Sequence, residues 1–165
     1  MPVEDLEFNY KLIGHRWMPM IPILLSCGSS FFEAEDYVDS GAFCSLFNSG
    51  IAESLGLDMT LGRKLCFTVG DGKTIQARML KVPVQIGDEV FVSDIAFSSE
   101  LRVGFNLLGR KGIFEHFEQV IFNEKERKVI FKKHLVKENR NELKEPAVSY
   151  EVKKSKSLLK PDAIL

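Results

Sequence analysis

One carboxylate stands out for its setting. The segment Tyr37-Val38-Asp39-Ser40-Gly41-Ala42 delivers Asp39 from an apolar stretch and follows it at once with a small hydroxyl residue, a glycine and an alanine. A carboxylate at the mouth of a tight loop can take or give a proton as a general base or acid. Gly41 would let the backbone approach another group closely. Ser40 can hydrogen-bond across that approach, and Ala42 leaves room beside it. The same residue types are ordinary turn formers, so a plain surface turn after a strand is the competing reading of this segment taken alone.

Other reactive residue types lead less far. Gly72-Lys73-Thr74 resembles the end of a phosphate-binding loop. Phe67 stands where the leading glycine belongs, and the residues that follow alternate like a strand, so the helix N-terminus that would hold phosphate is missing. His116 reads as a partly exposed helix residue. Cys27, Cys44 and Cys66 are odd in number and show no CxxC spacing, which fits buried free thiols in a reducing compartment. Nothing in the spacing makes His15, His116 or His134 converge with them on a metal. No metal or organic cofactor is expected.

The elements that must position Asp39 are mostly strands. Met20 to Leu25 is a core strand, Cys27-Gly28-Ser29-Ser30 a turn, and Phe31 to Val38 the strand that ends at Asp39. Asn48-Ser49 caps a short helix carrying Ile51 and Leu55 on one face, stopped by Gly56. Leu65 to Val69 and Thr74 to Met79 flank Gly70-Asp71-Gly72, a strong hairpin signal. Leu80, Val82, Val84 and Ile86 alternate with polar residues as in a half-buried strand. Gly87-Asp88 turns the chain, and Val90 to Phe97 returns. Ile113, Phe114 and Phe117 have helical spacing. Val120 to Phe122 and Lys128 to Phe131 form a last hairpin. Residues 1–17 read as a leader or edge strand. Residues 18–134 read as the folded domain, and 135–165, rich in Lys and Glu, as a poorly ordered tail.

Composition narrows the partners. The 165 residues are 45% hydrophobic, enough for one ordinary core, and 13 Phe against one Trp and three Tyr suit stacked sheets. With 22 basic and 23 acidic residues the formal net charge is -1, which gives no reason to expect nucleic acid or a membrane surface as partner. No apolar run approaches the roughly 20 residues of a spanning helix, and the acidic Glu4, Asp5 and Glu7 argue against a secretory signal. A cytoplasmic location is the default. Many short strands, tight turns and two short helices predict a mainly β, closed or sandwich-like architecture, and alternating βαβ units are absent.

Taken together, two separated motifs make a resemblance. Asp39-Ser40-Gly41-Ala42 resembles the Asp-Ser/Thr-Gly-Ala signature of the retropepsin-like aspartic proteases. Asn106-Leu107-Leu108-Gly109-Arg110 looks like their second signature, apolar residues followed by Gly-Arg. The hairpin at Gly70-Asp71-Gly72 lies between them, where that family places its flap. The likeness covers roughly residues 18 to 132 and implies a closed, barrel-like acid-protease fold with one lobe per chain. It implies that Asp39 is the catalytic carboxylate and that Ser40 hydrogen-bonds across a dimer axis. Gly41 and Ala42 would support the active-site loop, Gly70, Asp71 and Gly72 would form the flap tip, and Leu108, Gly109 and Arg110 would buttress the loop.

A single Asp-Ser-Gly implies a homodimer with an isologous interface. Its two aspartates would share a proton and activate a water against an extended peptide substrate. Phe43, Phe67, Ile75 and Leu107 are either subsite residues or core, with core favoured. The chain departs from the family pattern at two points. Phe43, Cys44 and Ser45 stand where many retroviral members carry an Asp that meets the arginine, and Lys111 follows Arg110 in place of Asp or Asn. The alternative function is a retropepsin-like dimerisation or peptide-binding module with weak or absent catalysis.

Overall fold

The computed structural model describes residues 4–68 and 72–134, together with the backbone of Ala163 and Ile164. Two antiparallel strands, β4 (Met20–Cys27) and β5 (Ser30–Val38), meet at a turn in which Gly28 adopts φ +59. The chain then runs through β6 (Leu46–Asn48), α1 (Ser49–Ser54), β7 (Arg63–Thr68), β8 (Thr74–Ile86), β9 (Glu89–Ser98) and β10 (Leu107–Leu108). Pairing runs β8-β4-β5-β10-β6-β9, and β9 pairs back onto β8. The sheet therefore closes into a ring. Some of the closing contacts are short, β10 meeting β5 over two residues and β8 meeting β4 over two.

The long strand β8 shows how one chain serves two cores. Its buried positions are Ile75, Ala77 and Met79, then Val82, Val84 and Ile86. The register with β9 runs unbroken from Arg78 opposite Phe97 to Ile86 opposite Glu89, so no bulge causes the change of phase. Because successive side chains point to opposite faces, β8 covers one face in its first half and the other face in its second. The first half joins Cys44, Leu46, Phe67 and Ala96 in a small cluster. The second half joins the main core with Ile21, Ile23, Leu25, Phe47, Phe97 and Leu108.

The leader is built into this core. β1 (Leu6–Asn9) is the edge strand of a second sheet, ordered β1-β12-β11, with β11 (Gln119–Asn123) and β12 (Lys128–Lys132) forming the expected last hairpin. Tyr10 is buried in the main cluster, and its hydroxyl donates to Glu124 Oε1 at 2.8 Å. A small hairpin, β2 (Lys11–Ile13) with β3 (Arg16–Met18), leads into β4.

The first expected helix is present, with Asn48 as its cap accepting the Gly50 N–H, and Gly56 leaves it at φ +71. The second is not an α-helix. Around Ile113, Phe114 and Phe117 the chain makes one 3-10 turn, Phe114–His116. Gly112 enters it at φ +97, Ile113 supplies no side-chain cap, and Phe117 is already extended. The turn drops both Ile113 and Phe117 into the core, which is the need that the apolar spacing expressed. A further 3-10 turn, Met59–Leu61, is capped by Asp58.

From residue 135 onward only Ala163–Ile164, here β13, is described, so the expected tail otherwise lies outside the described residues. Among the described residues, no helix is long and apolar enough to cross a membrane.

Candidate active site

Asp39 sits where β5 leaves the ring. Parallel pairing of β10 with β5, Leu107 opposite Tyr37 and Leu108 opposite Val38, brings the two sequence motifs side by side. The Asp39 N–H donates to Leu108 O at 3.0 Å, and the Val38 N–H to Pro19 O at 2.9 Å, so the strand end is held from both sides. The chain then turns sharply. The Ala42 N–H donates back to Asp39 O at 3.2 Å, and the Gly41 N–H donates to Asp39 Oδ1 at 2.8 Å. A backbone donor on one oxygen fixes the carboxylate's direction. Asp39 is half-buried, Ser40 and Gly41 are exposed, and Ala42 is buried.

Beneath this turn the second motif packs backbone to backbone. The Arg110 N–H donates to Ala42 O at 3.0 Å, and the Lys111 N–H to Phe43 O at 2.8 Å. Gly109 is so close to the loop that a Cβ there would lie 2.6 Å from the carbonyl of Cys44 and 2.8 Å from Ala42 O. Leu108 is fully buried in the main core. Leu108, Gly109 and the backbone of Arg110 thus pack directly against the Asp39 turn and the residues that follow it. The Arg110 side chain is exposed, and its guanidinium lies 5.9 Å from the ring centroid of Phe43. Phe43, in the stretch Phe43-Cys44-Ser45 where an acidic residue was expected, offers the arginine an aromatic face. Lys111 turns the other way, towards Asp94 Oδ2 at 3.6 Å and Glu115 Oε2 at 3.7 Å.

Hairpin β7–β8 stands beside the site. Its inner residues Phe67 and Ile75 are buried with Cys44 of the Asp39 loop, and Leu107 packs against them. Phe67 and Ile75 are therefore core, Leu107 is partly buried, and Phe43 is exposed. Of the expected hairpin tip, Gly72 is described, at φ +81, and Gly70 and Asp71 lie outside the described residues. Cys44 is buried, Cys27 half-buried and Cys66 exposed, so only one of three thiols is in the core. His116 stacks on Phe91 with centroids 4.0 Å apart and meets Ser93 Oγ at 2.8 Å, and burial holds its imidazole below the usual value.

Two supporting groups escaped the sequence reading. Ser45 is fully buried, donates its hydroxyl to Lys111 O at 3.0 Å and accepts the Gly109 N–H at 3.0 Å. It is the one polar residue inside the apolar run Ala42 to Phe47 apart from a thiol, and that was its only signal. Asp36 is also buried. Its Oδ1 accepts both the Asn106 N–H at 3.1 Å and Asn106 Nδ2 at 2.9 Å, and Asn106 Oδ1 in turn accepts the Asn48 N–H at 2.9 Å. This chain of amides ties β5, β6 and β10 together three residues before Asp39. Asp36 shares the inward face of β5 with Val38, and a charge at an inward position was the signal available.

Asp36 predicts a pH dependence. Its Oδ2 is buried with no hydrogen-bond partner among the described residues. Burial pushes the carboxyl above its ordinary 3.8, and the two bonds from Asn106 offset only part of that. With the folded value raised, this group's contribution to stability is present below 3.8 and is lost as pH rises through the folded value. Asp36→Asn keeps an acceptor for Asn106 and cannot ionise. The variant is expected to be more stable than the parent at pH 7. The gain should shrink towards zero below pH ~4 in denaturant titrations. A gain that is the same at both pH values would refute the assignment.

A closed ring with the Asp39 turn braced by a second short strand and the glycine after it is the fold of the retropepsin-like aspartic proteases. A retropepsin-like aspartic protease from Rickettsia conorii matches with a TM-score of 0.59 at 18% identity, over 79% of this chain and 100% of that one. EIAV protease complexed with the inhibitor HBY-793 aligns over 56% of this chain and 82% of its own, at 18% identity and a TM-score of 0.43. No family model and no curated protein matches the sequence.

Proposed function

We propose that the chain is an aspartic endopeptidase whose site is completed by a second copy of itself. The observation that carries this reading is the half-buried Asp39 carboxylate, oriented by the Gly41 N–H and set on the β5–β10 pair. One such turn supplies one carboxylate, and general acid–base hydrolysis of a peptide needs two in different protonation states. A two-fold axis through the Ser40-Gly41 face would bring two Asp39 side chains together. Paired carboxylates hold one proton between them. The ionised partner takes a proton from a water held between the two. The protonated partner donates to the scissile carbonyl. The tetrahedral diol then collapses as a proton passes to the leaving nitrogen. Backbone groups of Gly41 and of the β7–β8 hairpin, with Gly70, Asp71 and Gly72 as a flap, hold an extended peptide. Protein side chains and water suffice for every step.

Dilution tests this. Cleavage of an unstructured peptide per chain is expected to fall as the protein is diluted through its dimer dissociation constant, and a statine-type peptide is expected to inhibit. Activity per chain that stays constant in a sample shown by sedimentation to be monomeric would overturn the reading. The Phe43–Arg110 contact, at the place of an acidic residue, favours a second reading, a dimeric peptide-docking module without turnover. A dimer that binds the statine-type peptide yet cleaves nothing would select it.

A further inference from the structure

The hairpin β7–β8 has one open edge, and another part of the chain is on it. On the far side of β8, Gln76 is closed off. Its N–H donates to Glu100 Oε2 at 3.3 Å, and its carbonyl accepts the Ser98 hydroxyl at 2.5 Å. On the near side, β7 and β8 satisfy each other from Arg63 opposite Met79 to Thr68 opposite Thr74. What is left is the outer edge of β7. Exposed edges invite a further strand. Ala163–Ile164 takes this one, pairing in parallel with Ala163 opposite Phe67 and Ile164 opposite Thr68.

The position matters because Phe67 and Thr68 lead directly into the hairpin tip. Phe67 also packs with Cys44 of the active-site loop and with Leu107, the residue paired to Tyr37. A peptide that adds to β7 here runs along the strand that leads into the hairpin tip. We propose that the outer edge of β7 is a strand-docking site and that residues 163–164 occupy it in competition with the extended peptide substrate. The competition rests on the protease reading given above; the docking does not.

The physical case is one of tethering. Two paired residues form a weak contact, since each backbone hydrogen bond replaces one to water. Residues 135–162 can span at most about 100 Å when fully extended, ample to reach any point on this fold. A tethered segment then meets its site at an effective concentration on the order of millimolar. A weak strand held in this way blocks dilute peptides and yields to a substrate with more pairing positions.

The test uses the full chain carrying Ala163→Pro and Ile164→Pro, which removes both backbone donors and cannot extend a sheet. Amide hydrogen exchange over Cys66–Thr68 is expected to speed up, and a synthetic peptide of residues 158–165 added at millimolar concentration is expected to slow it again. The KM for a short peptide substrate is expected to fall about 3- to 10-fold with kcat unchanged. Exchange over Cys66–Thr68 that does not change in the double variant overturns the docking. Faster exchange with an unchanged KM overturns the competition. If neither protein cleaves any peptide, the protease reading fails while the exchange result still decides the docking.

Discussion

Asp39→Asn is expected to lower peptide cleavage by at least about 1,000-fold while leaving the fold intact. The size follows from what is removed. A positioned acid or base contributes ~100- to 10,000-fold, and in a symmetric dimer one substitution removes both. An amide can neither take the proton of the attacking water nor return one to the leaving nitrogen. The fold has little reason to change. Asparagine keeps an oxygen for the Gly41 N–H, and the turn is closed by main-chain bonds from Asp39 to Leu108 and from Ala42 to Asp39. The side chain is only half-buried, so removing its charge costs no core packing. Steady-state cleavage and thermal unfolding of the same preparation check both halves. Wild-type turnover in the variant would end the assignment of Asp39.

Much of the ring could be read from the chain because the physics of a half-buried strand is local. Alternation in Leu80 to Ile86, the turn glycines Gly28 and Gly87, and the Asn48 cap each act on their own neighbours. The Gly109 contact was expected for a different reason, the likeness of Leu107-Leu108-Gly109-Arg110 to a family signature. Non-local features were harder. The spacing of Ile113 and Phe117 looked helical because two core residues four apart satisfy either a helix or a tight turn entered through Gly112. Tyr10 gave no sign of belonging to the core, since its place depends on β12, which lies far along the chain. Asp36 and Asn106 are separated by 70 positions and meet only because β10 pairs in parallel with β5. Parallel neighbours are never adjacent in sequence, so this tie between the two strands was the least visible.

Gly109→Ala is expected to destabilise the fold strongly. The added Cβ would meet main-chain atoms on two residues, the carbonyl of Cys44 at 2.6 Å and Ala42 O at 2.8 Å. None of these can step aside as the end of a flexible side chain would. Moving Gly109 instead would strain its own bond to Ser45 Oγ, the adjacent Arg110–Ala42 bond and the Phe114–Gly109 bond that starts the 3-10 turn. The clash therefore spreads into the Asp39 loop whichever side yields. Overpacking of this kind costs about 3 kcal/mol, a large share of a typical stability of ~5–15 kcal/mol, and should lower Tm by roughly 10 °C. Gly104→Ala supplies the control, because nothing lies within 4 Å of a Cβ there and its φ is not in the left-handed region. That change should stay within about 0.5 kcal/mol. If the two variants unfold at the same temperature, the tight interlock of the two motifs is wrong, and with it the claim that Leu108-Gly109-Arg110 sets where Asp39 points.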